Sequence, residues 1–177
     1  MSLVVAASNP DLSSPQLGWG EPHAFAVPDS WLKWLTDKGS LTQALKSKSA
    51  NQFSVEVVAE KWITVASLEL RKAFGPLAPS HRFWSRQVIL LGKGQPWVMA
   101  HTIIPEHSFF SPLQEVVRLN TKPLGEYLFS HPELRRGTLE ISPWLDGAWG
   151  RRSLFHLYDK PIMVAEFFLP GFLTDAG

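Results

Sequence analysis

The sequence contains no cysteine, which excludes disulfides and thiolate metal sites and suits a reducing compartment. Net charge is also nearly absent: 17 lysines and arginines stand against 16 acidic residues, leaving +1. That balance exerts no general pull on nucleic acid or an anionic membrane surface. No uninterrupted apolar run approaches the ~20 residues of a membrane span. The opening Met1-Ser2-Leu3-Val4-Val5-Ala6-Ala7 lacks the basic region and apolar length of a secretory leader. A cytoplasmic protein without stable membrane insertion is expected. The six histidines, His23, His81, His101, His107, His131 and His156, show neither i, i+4 helical spacing nor the companion acids of a metal site. No serine sits in a nucleophile elbow. A pocket that works without metal, cofactor or covalent catalysis fits these absences best.

What is present is apolar and aromatic. The 177 residues are 45% hydrophobic and 19% charged, which suits a single globular domain with a substantial core. Eight tryptophans and eleven phenylalanines are many for this length; such rings fill cores and also wall pockets for flat, unsaturated ligands. Residues 1–28 carry four prolines among small polar residues and read as a loosely ordered arm before one domain over 29–177.

Asp29-Ser30 ahead of Trp31, Trp34 and Leu35 predicts an N-capped helix stopped at Asp37-Lys38-Gly39. Ser40 with Gln43 three residues on predicts a second helix over 40–46. The pair is a helix-turn-helix only geometrically, since Lys46 and Lys48 are too little for a DNA-reading face. Strands are expected over 53–67, with a bulge at Ala59-Glu60-Lys61, and over 82–91 and 96–104, the last two joined by the turn Gly92-Lys93-Gly94-Gln95. That Gly-Lys-Gly lacks the spacing and following helix of a phosphate loop. Residues 71–81 read as a loop, 112–118 and 123–129 as short helices, and 138–142, 151–158 and 161–170 as further strands. The sum is an α+β domain: a single antiparallel β-sheet covered by helices. Without heptads, a monomer is the default.

Two charged residues sit where charge is costly. In Pro161–Pro170, alternation puts Ile162, Val164, Glu166 and Phe168 on one face and Met163, Ala165, Phe167 and Leu169 on the other. Both faces are apolar, so Glu166 needs a partner, a proton or a cavity. In the strand over 82–91, Arg86 shares a face with Trp84, Val88 and Leu90; a buried guanidinium is kept where a carboxylate or phosphate must be gripped. Two arrangements satisfy both residues: they pair with each other, or they line one pocket. Of Arg151 and Arg152, alternation turns one to the covered side.

Six blocks, taken in order and spacing, carry a resemblance: Arg82-Phe83-Trp84-Ser85-Arg86, Gln95-Pro96-Trp97, Thr102-Ile103-Ile104-Pro105, Lys122 through Phe129, Trp149-Gly150-Arg151-Arg152-Ser153, and Lys160-Pro161 through Pro170. Over residues 80–170 the chain resembles the chorismate pyruvate-lyase family, bacterial enzymes that make 4-hydroxybenzoate for ubiquinone. The resemblance implies a ligand held inside an antiparallel-sheet fold under helical flaps, with no cofactor. It implies that Arg86 binds the ring carboxylate, with backbone N–H groups of Leu41 and Leu124, and that Glu166 meets the ring hydroxyl. Leu41 stands where methionine is familiar, an exchange that a main-chain contact tolerates. His101 stands where arginine is familiar and is the candidate for the second carboxylate, although a histidine is largely neutral at pH 7.

The implied reaction converts chorismate to 4-hydroxybenzoate and pyruvate. Its flat product fits the same grip as the substrate, so product retention and slow flap opening are expected. The alternative is a non-catalytic aromatic-acid sensing or binding domain of the same fold. Sensors of that kind carry a separate DNA-binding domain, and the segment before Phe53 is short and weakly basic for one.

Overall fold

Two tight hairpins fix the register of the sheet. Lys93 and Gly94 (φ 52° and 75°) and Tyr158 and Asp159 (φ 51° and 62°) each place two successive residues in the left-handed region. That conformation matches the twist of paired strands. The computed structural model describes residues 18–174. The strands are β1 (Phe53–Thr64), β2 (Arg82–Gly92), β3 (Gln95–Pro105), β4 (Arg135–Pro143), β5 (Trp149–Leu157) and β6 (Lys160–Phe168). They form one antiparallel sheet in the order β1-β2-β3-β6-β5-β4. The helices are α1 (Asp29–Thr36), α2 (Leu41–Lys48), α3 (Leu68–Lys72) and α4 (Leu124–Phe129), with 3-10 turns that include Leu113–Arg118. The expected α+β class is what the chain forms. Among the described residues no helix is long and apolar enough to cross a membrane.

The order of strands explains where a ligand can sit. After β3 the chain leaves the sheet, runs through residues 106–134, and re-enters at the far edge as β4. β5 and β6 bring it back beside β3. Along this excursion Leu113, Val116, Leu119 and Leu128 pack on Ile104, Phe155, Ile162 and Val164. Trp31, Leu35, Leu41 and Leu45 of α1 and α2 pack on the same face beside Phe168 and Phe172. The opposite face carries Met163, Ala165 and Phe167, covered by Leu70 and Phe74. β6 is therefore buried on both sides, as its two apolar faces require.

Several local expectations change. α1 starts at Asp29 behind Pro28 with no side-chain cap, whereas Ser40 caps α2 by accepting from the Gln43 N–H (3.4 Å). The stretch over 53–67 ends as strand at Thr64, and Ser67 caps the short α3 by accepting from Leu70 N–H (3.1 Å) inside the expected strand and loop. The bulge falls between Val57 and Ala59, one residue earlier than expected. β4 begins at Arg135, three residues before the expected start. Of the arm expected over 1–28, residues 1–17 lie outside the described residues. Gly20 bridges Ile141 (N–O 3.0 and 2.7 Å), and Trp19 packs on Phe167 with centroids 5.7 Å apart.

Gly92, at the end of β2, shows how tightly the core is filled. A Cβ there would lie 2.2 Å from the ring of Trp97, which is fully buried. Overpacking of this kind costs about 1–3 kcal/mol. Gly92→Ala is expected to lower the urea midpoint accordingly; an unchanged midpoint would mean the ring can shift at no cost.

Candidate active site

Alternation sends Arg86 and Val88 of β2, Ala100 and Thr102 of β3, Val164 and Glu166 of β6, and Phe155 of β5 to one face of the sheet. Between that face and the first turns of α2 and α4 lies a cavity with about 590 Å³ of atom-free space, its mouth included. Its roof is Leu41 and Thr42 of α2 and Pro123, Leu124 and Gly125 before and within α4. Leu41 and Leu124 are the first residues of their helices, whose N–H groups have no partner within the helix.

Arg86 and Glu166 both line this space and do not touch each other. Arg86 pairs with Thr102 across β2–β3, and Glu166 with Ala100 across β3–β6. Two strand spacings, roughly 10 Å across the sheet, and an offset from Thr102 to Ala100 along β3 separate their backbones. Each charge has a different partner. The Arg86 side chain, 1% exposed, donates to the Glu60 carboxylate, to Asn120 O (2.8 Å) and to Lys122 O (3.3 Å). Its Nε has no partner among the described residues. Glu166 accepts from Arg151 Nε at 2.5 Å through Oε2. Arg151 Nη1 in turn donates to Trp34 O and Asp37 O, both at 2.9 Å, at the C-terminal end of α1. The pairing of Arg86 with Glu166, left open by the sequence, is excluded by these contacts.

The bulge in β1 accounts for the partner of Arg86. Val55 and Val57 lie opposite Leu90 and Val88, and a regular strand would then turn Glu60 to the other face. The extra residue resets the alternation and brings Glu60 opposite Arg86. Nothing in the residue pattern fixes a bulge to within one position, so Glu60 was not legible as the counter-ion.

His101 is a correction. Between Ala100 and Thr102, which line the cavity, alternation turns it to the opposite face, where its Nε2 lies 2.8 Å from Ser85 Oγ. The structure does not bring it to the site as a carboxylate ligand. Arg152, also buried, lies on that opposite face and donates to Glu140 (2.9 Å) and Glu69 (2.6 Å). Arg151 and Arg152 are thus both buried, one on each side.

Arg136 is the residue that sequence reading missed. It lines the cavity beside Phe129 and Phe155, with its guanidinium 4.7 Å from the Phe155 ring centroid. The early start of β4 puts it opposite Phe155. The signal available was the Arg135-Arg136 pair just before the strand expected over 138–142. Gly137 is required there: a Cβ would meet Leu154 O at 2.8 Å.

The roof is closed tightly. A Cβ on Gly125 would lie 2.8 Å from Thr42 Oγ1, and an outer ion pair, Lys46 Nζ to Glu126 Oε2 at 3.1 Å, joins α2 to α4.

Removing one partner of a buried ion pair costs about 3–5 kcal/mol, because the other charge is left uncompensated. Arg151→Leu is expected to destabilise the fold by that order, and adding Glu166→Gln to recover part of the loss. Urea unfolding of the two single variants and the double variant measures the coupling; simple additivity would show that the pair is not a unit.

Comparison with known proteins adds a lineage to this geometry. The family model for chorismate lyase matches residues 15–176. A Serratia proteamaculans protein named chorismate pyruvate-lyase is 35% identical over 165 residues, covering 93% of this chain and 92% of its own. A Marinobacter nauticus protein named "Probable chorismate pyruvate-lyase" is 40% identical over 142 residues, covering 77% and 74%. Among solved structures, the effector domain of PhnF from Mycobacterium smegmatis aligns with a TM-score of 0.54 at 14% identity, over 75% of this chain and 89% of that one. That likeness concerns the fold. By the match along nearly its whole length, the chain belongs to the chorismate lyase family.

Proposed function

We propose that this protein is a chorismate pyruvate-lyase, cleaving the ether C–O bond of chorismate to give 4-hydroxybenzoate and pyruvate, the first step of ubiquinone biosynthesis. The observation that carries this reading is a guanidinium and a carboxylate held apart on the apolar wall of one cavity. In this reading the ring carboxylate takes the uncommitted donor of Arg86 and the N–H groups of Leu41 and Leu124. The hydroxyl at the far end of the ring donates to Glu166.

With both ends fixed, the reaction is an elimination. The ether C–O bond breaks, the hydrogen on the hydroxyl-bearing carbon leaves, and that electron pair completes the aromatic ring. The enolpyruvyl fragment ends as pyruvate once its methylene gains a proton. Aromatisation supplies the driving force, so the protein's task is to position the reactive conformer and exclude water. The ring hydrogen has two routes: to Glu166 as general base, or directly to the enolpyruvyl methylene in a cyclic step. Turnover in deuterated water separates them, since only the first puts solvent deuterium into the pyruvate methyl group.

No step in this scheme calls for a metal or an organic cofactor. The same reading takes the protein as a cytoplasmic monomer whose partners are small molecules, and expects the flat product to be held after pyruvate has gone.

Purified protein incubated with chorismate, with and without chelator, is expected to release pyruvate and 4-hydroxybenzoate in equal amounts at the same rate. Release no faster than the uncatalysed background would leave only the non-catalytic aromatic-acid binding domain. Glu166→Ala and Arg86→Ala are each expected to lower kcat/KM by about 100-fold or more. Arg86→Lys should not rescue, because an ammonium lacks the planar fork. Wild-type kinetics in a folded alanine variant would remove that residue from the mechanism.

A further inference from the structure

Arg136, half-buried with its Nε fully enclosed, is placed unlike the buried arginines. Arg86, Arg151 and Arg152 each pair with a carboxylate, and Arg71 gives one nitrogen to Val65 O and Ala66 O at 2.7 and 2.8 Å. Among the described residues no carboxylate lies within ion-pair distance of Arg136. Its one hydrogen bond runs from Nη1 to Asp37 O at 3.2 Å, the same oxygen that accepts from Arg151 Nη1 at 2.9 Å. Two guanidinium groups therefore converge on a single carbonyl. Arg136 Nε and Arg151 Nη2, both buried, have no partner among the described residues.

This arrangement is electrostatically incomplete. Burial and the Arg151 charge push the pKa of Arg136 down from the ordinary arginine range, with Glu166 and Asp37 acting the other way. An arginine nonetheless stays protonated, so the unfavourable energy remains until an anion enters. On its cavity side Arg136 lies over the Phe129 and Phe155 rings, which also line the cavity, so an anion entering there meets the guanidinium beside apolar walls.

We propose that Arg136 binds the enolpyruvyl carboxylate of the substrate, and so distinguishes substrate from product. The inference rests on the lyase reading above and deepens it. Chorismate carries its ether on the ring carbon next to the hydroxyl-bearing one, so the second carboxylate lies near the group that holds the hydroxyl. Arg136 lies at that end: it is close enough to Glu166 to feel its charge and shares Asp37 O with the arginine that holds Glu166. Arg86 lies at the other end, two strands away from Glu166. The three groups match the three polar substituents of the substrate. When the ether bond breaks, the second carboxylate departs with pyruvate, and 4-hydroxybenzoate keeps only the contacts to Arg86 and Glu166.

The test compares two ligands on the same variants. Arg136→Gln is expected to raise KM for chorismate by about 10- to 100-fold, the range of a lost charge-assisted hydrogen bond. Its Kd for 4-hydroxybenzoate, measured by calorimetry, should stay within about threefold of wild type. Arg136→Lys should recover part of the chorismate KM and leave the product Kd alone. Binding of 3-(carboxymethoxy)-4-hydroxybenzoate, a stable aromatic acid with an ether-linked second carboxylate, should follow chorismate and not the product. Equal losses for product and dicarboxylate would make Arg136 a structural residue, and an unchanged chorismate KM would also overturn the proposal. Wild-type protein that binds 4-hydroxybenzoate but releases no pyruvate would instead sink the lyase reading, and this inference with it.

Discussion

The structure depends on keeping a buried guanidinium and a largely enclosed carboxylate from collapsing onto each other. Arg86 and Glu166 line one low-dielectric cavity, where attraction between ions is strong and an unpaired ion is costly. Direct contact between them would close the space a ring must occupy. Separate partners prevent that: Glu60 and two loop carbonyls hold Arg86, while Arg151, itself anchored on the end of α1, holds Glu166. Sheet geometry does the rest. With β3 between them, neither side chain can reach the other without giving up a bonded partner for one two strands away. The cavity is thus a consequence of strand order as much as of the residues that line it.

That strand order follows from the long excursion after β3. A simple meander would have placed β4 beside β3, and its following strands farther out. Instead residues 106–134 cross to the far edge, and β6 returns to the centre. The crossing segment has to cover the face it spans, and α4 is the part of it that roofs the cavity. β6 consequently carries its carboxylate in the middle of the sheet, buried on both sides, where a base or hydrogen-bond acceptor is shielded from water.

Much of this was legible from residues alone, and the limits have physical causes. Period-two alternation was enough to put Arg86 and Glu166 on buried faces, because both strands are regular through those positions. Where a strand is irregular, alternation fails at the irregularity. The bulge at Val57/Ala59 moved Glu60 to the cavity face, and the one in β4 between Arg136 and Leu139 hid Arg136 in an apparent loop. His101 was misjudged for another reason. Matching it to a family position suggested a ligand, while its own strand, with cavity-facing neighbours on both sides, already turned it away. The five residues of α3 are too short for helical periodicity to register, and only Ser67 as a cap marked their start.

The way a ligand enters follows from which parts are fixed. α1 is tied to the sheet from within: Arg151 reaches Trp34 O and Asp37 O, and Arg136 reaches Asp37 O. Trp31 and Trp34 also pack on Phe168 and Phe172, Trp31 stacked on Phe172 and the other pairs edge to face. α2 and α4, in contrast, meet each other through the Gly125–Thr42 contact and the half-exposed Lys46–Glu126 pair. An exposed pair contributes only up to about 1 kcal/mol, so the direct link between α2 and α4 is weaker than the bonds that tie α1 to the sheet. The seam between the two roof helices lies beside Leu41 and Leu124, whose first-turn N–H groups have no partner within their helices. A carboxylate bridging those N–H groups would also bridge the seam, so the ligand itself becomes part of what holds the roof shut. On the proposed lyase reading, a product that kept this carboxylate would help hold the roof closed, whereas pyruvate, leaving from the other end of the ring, would not.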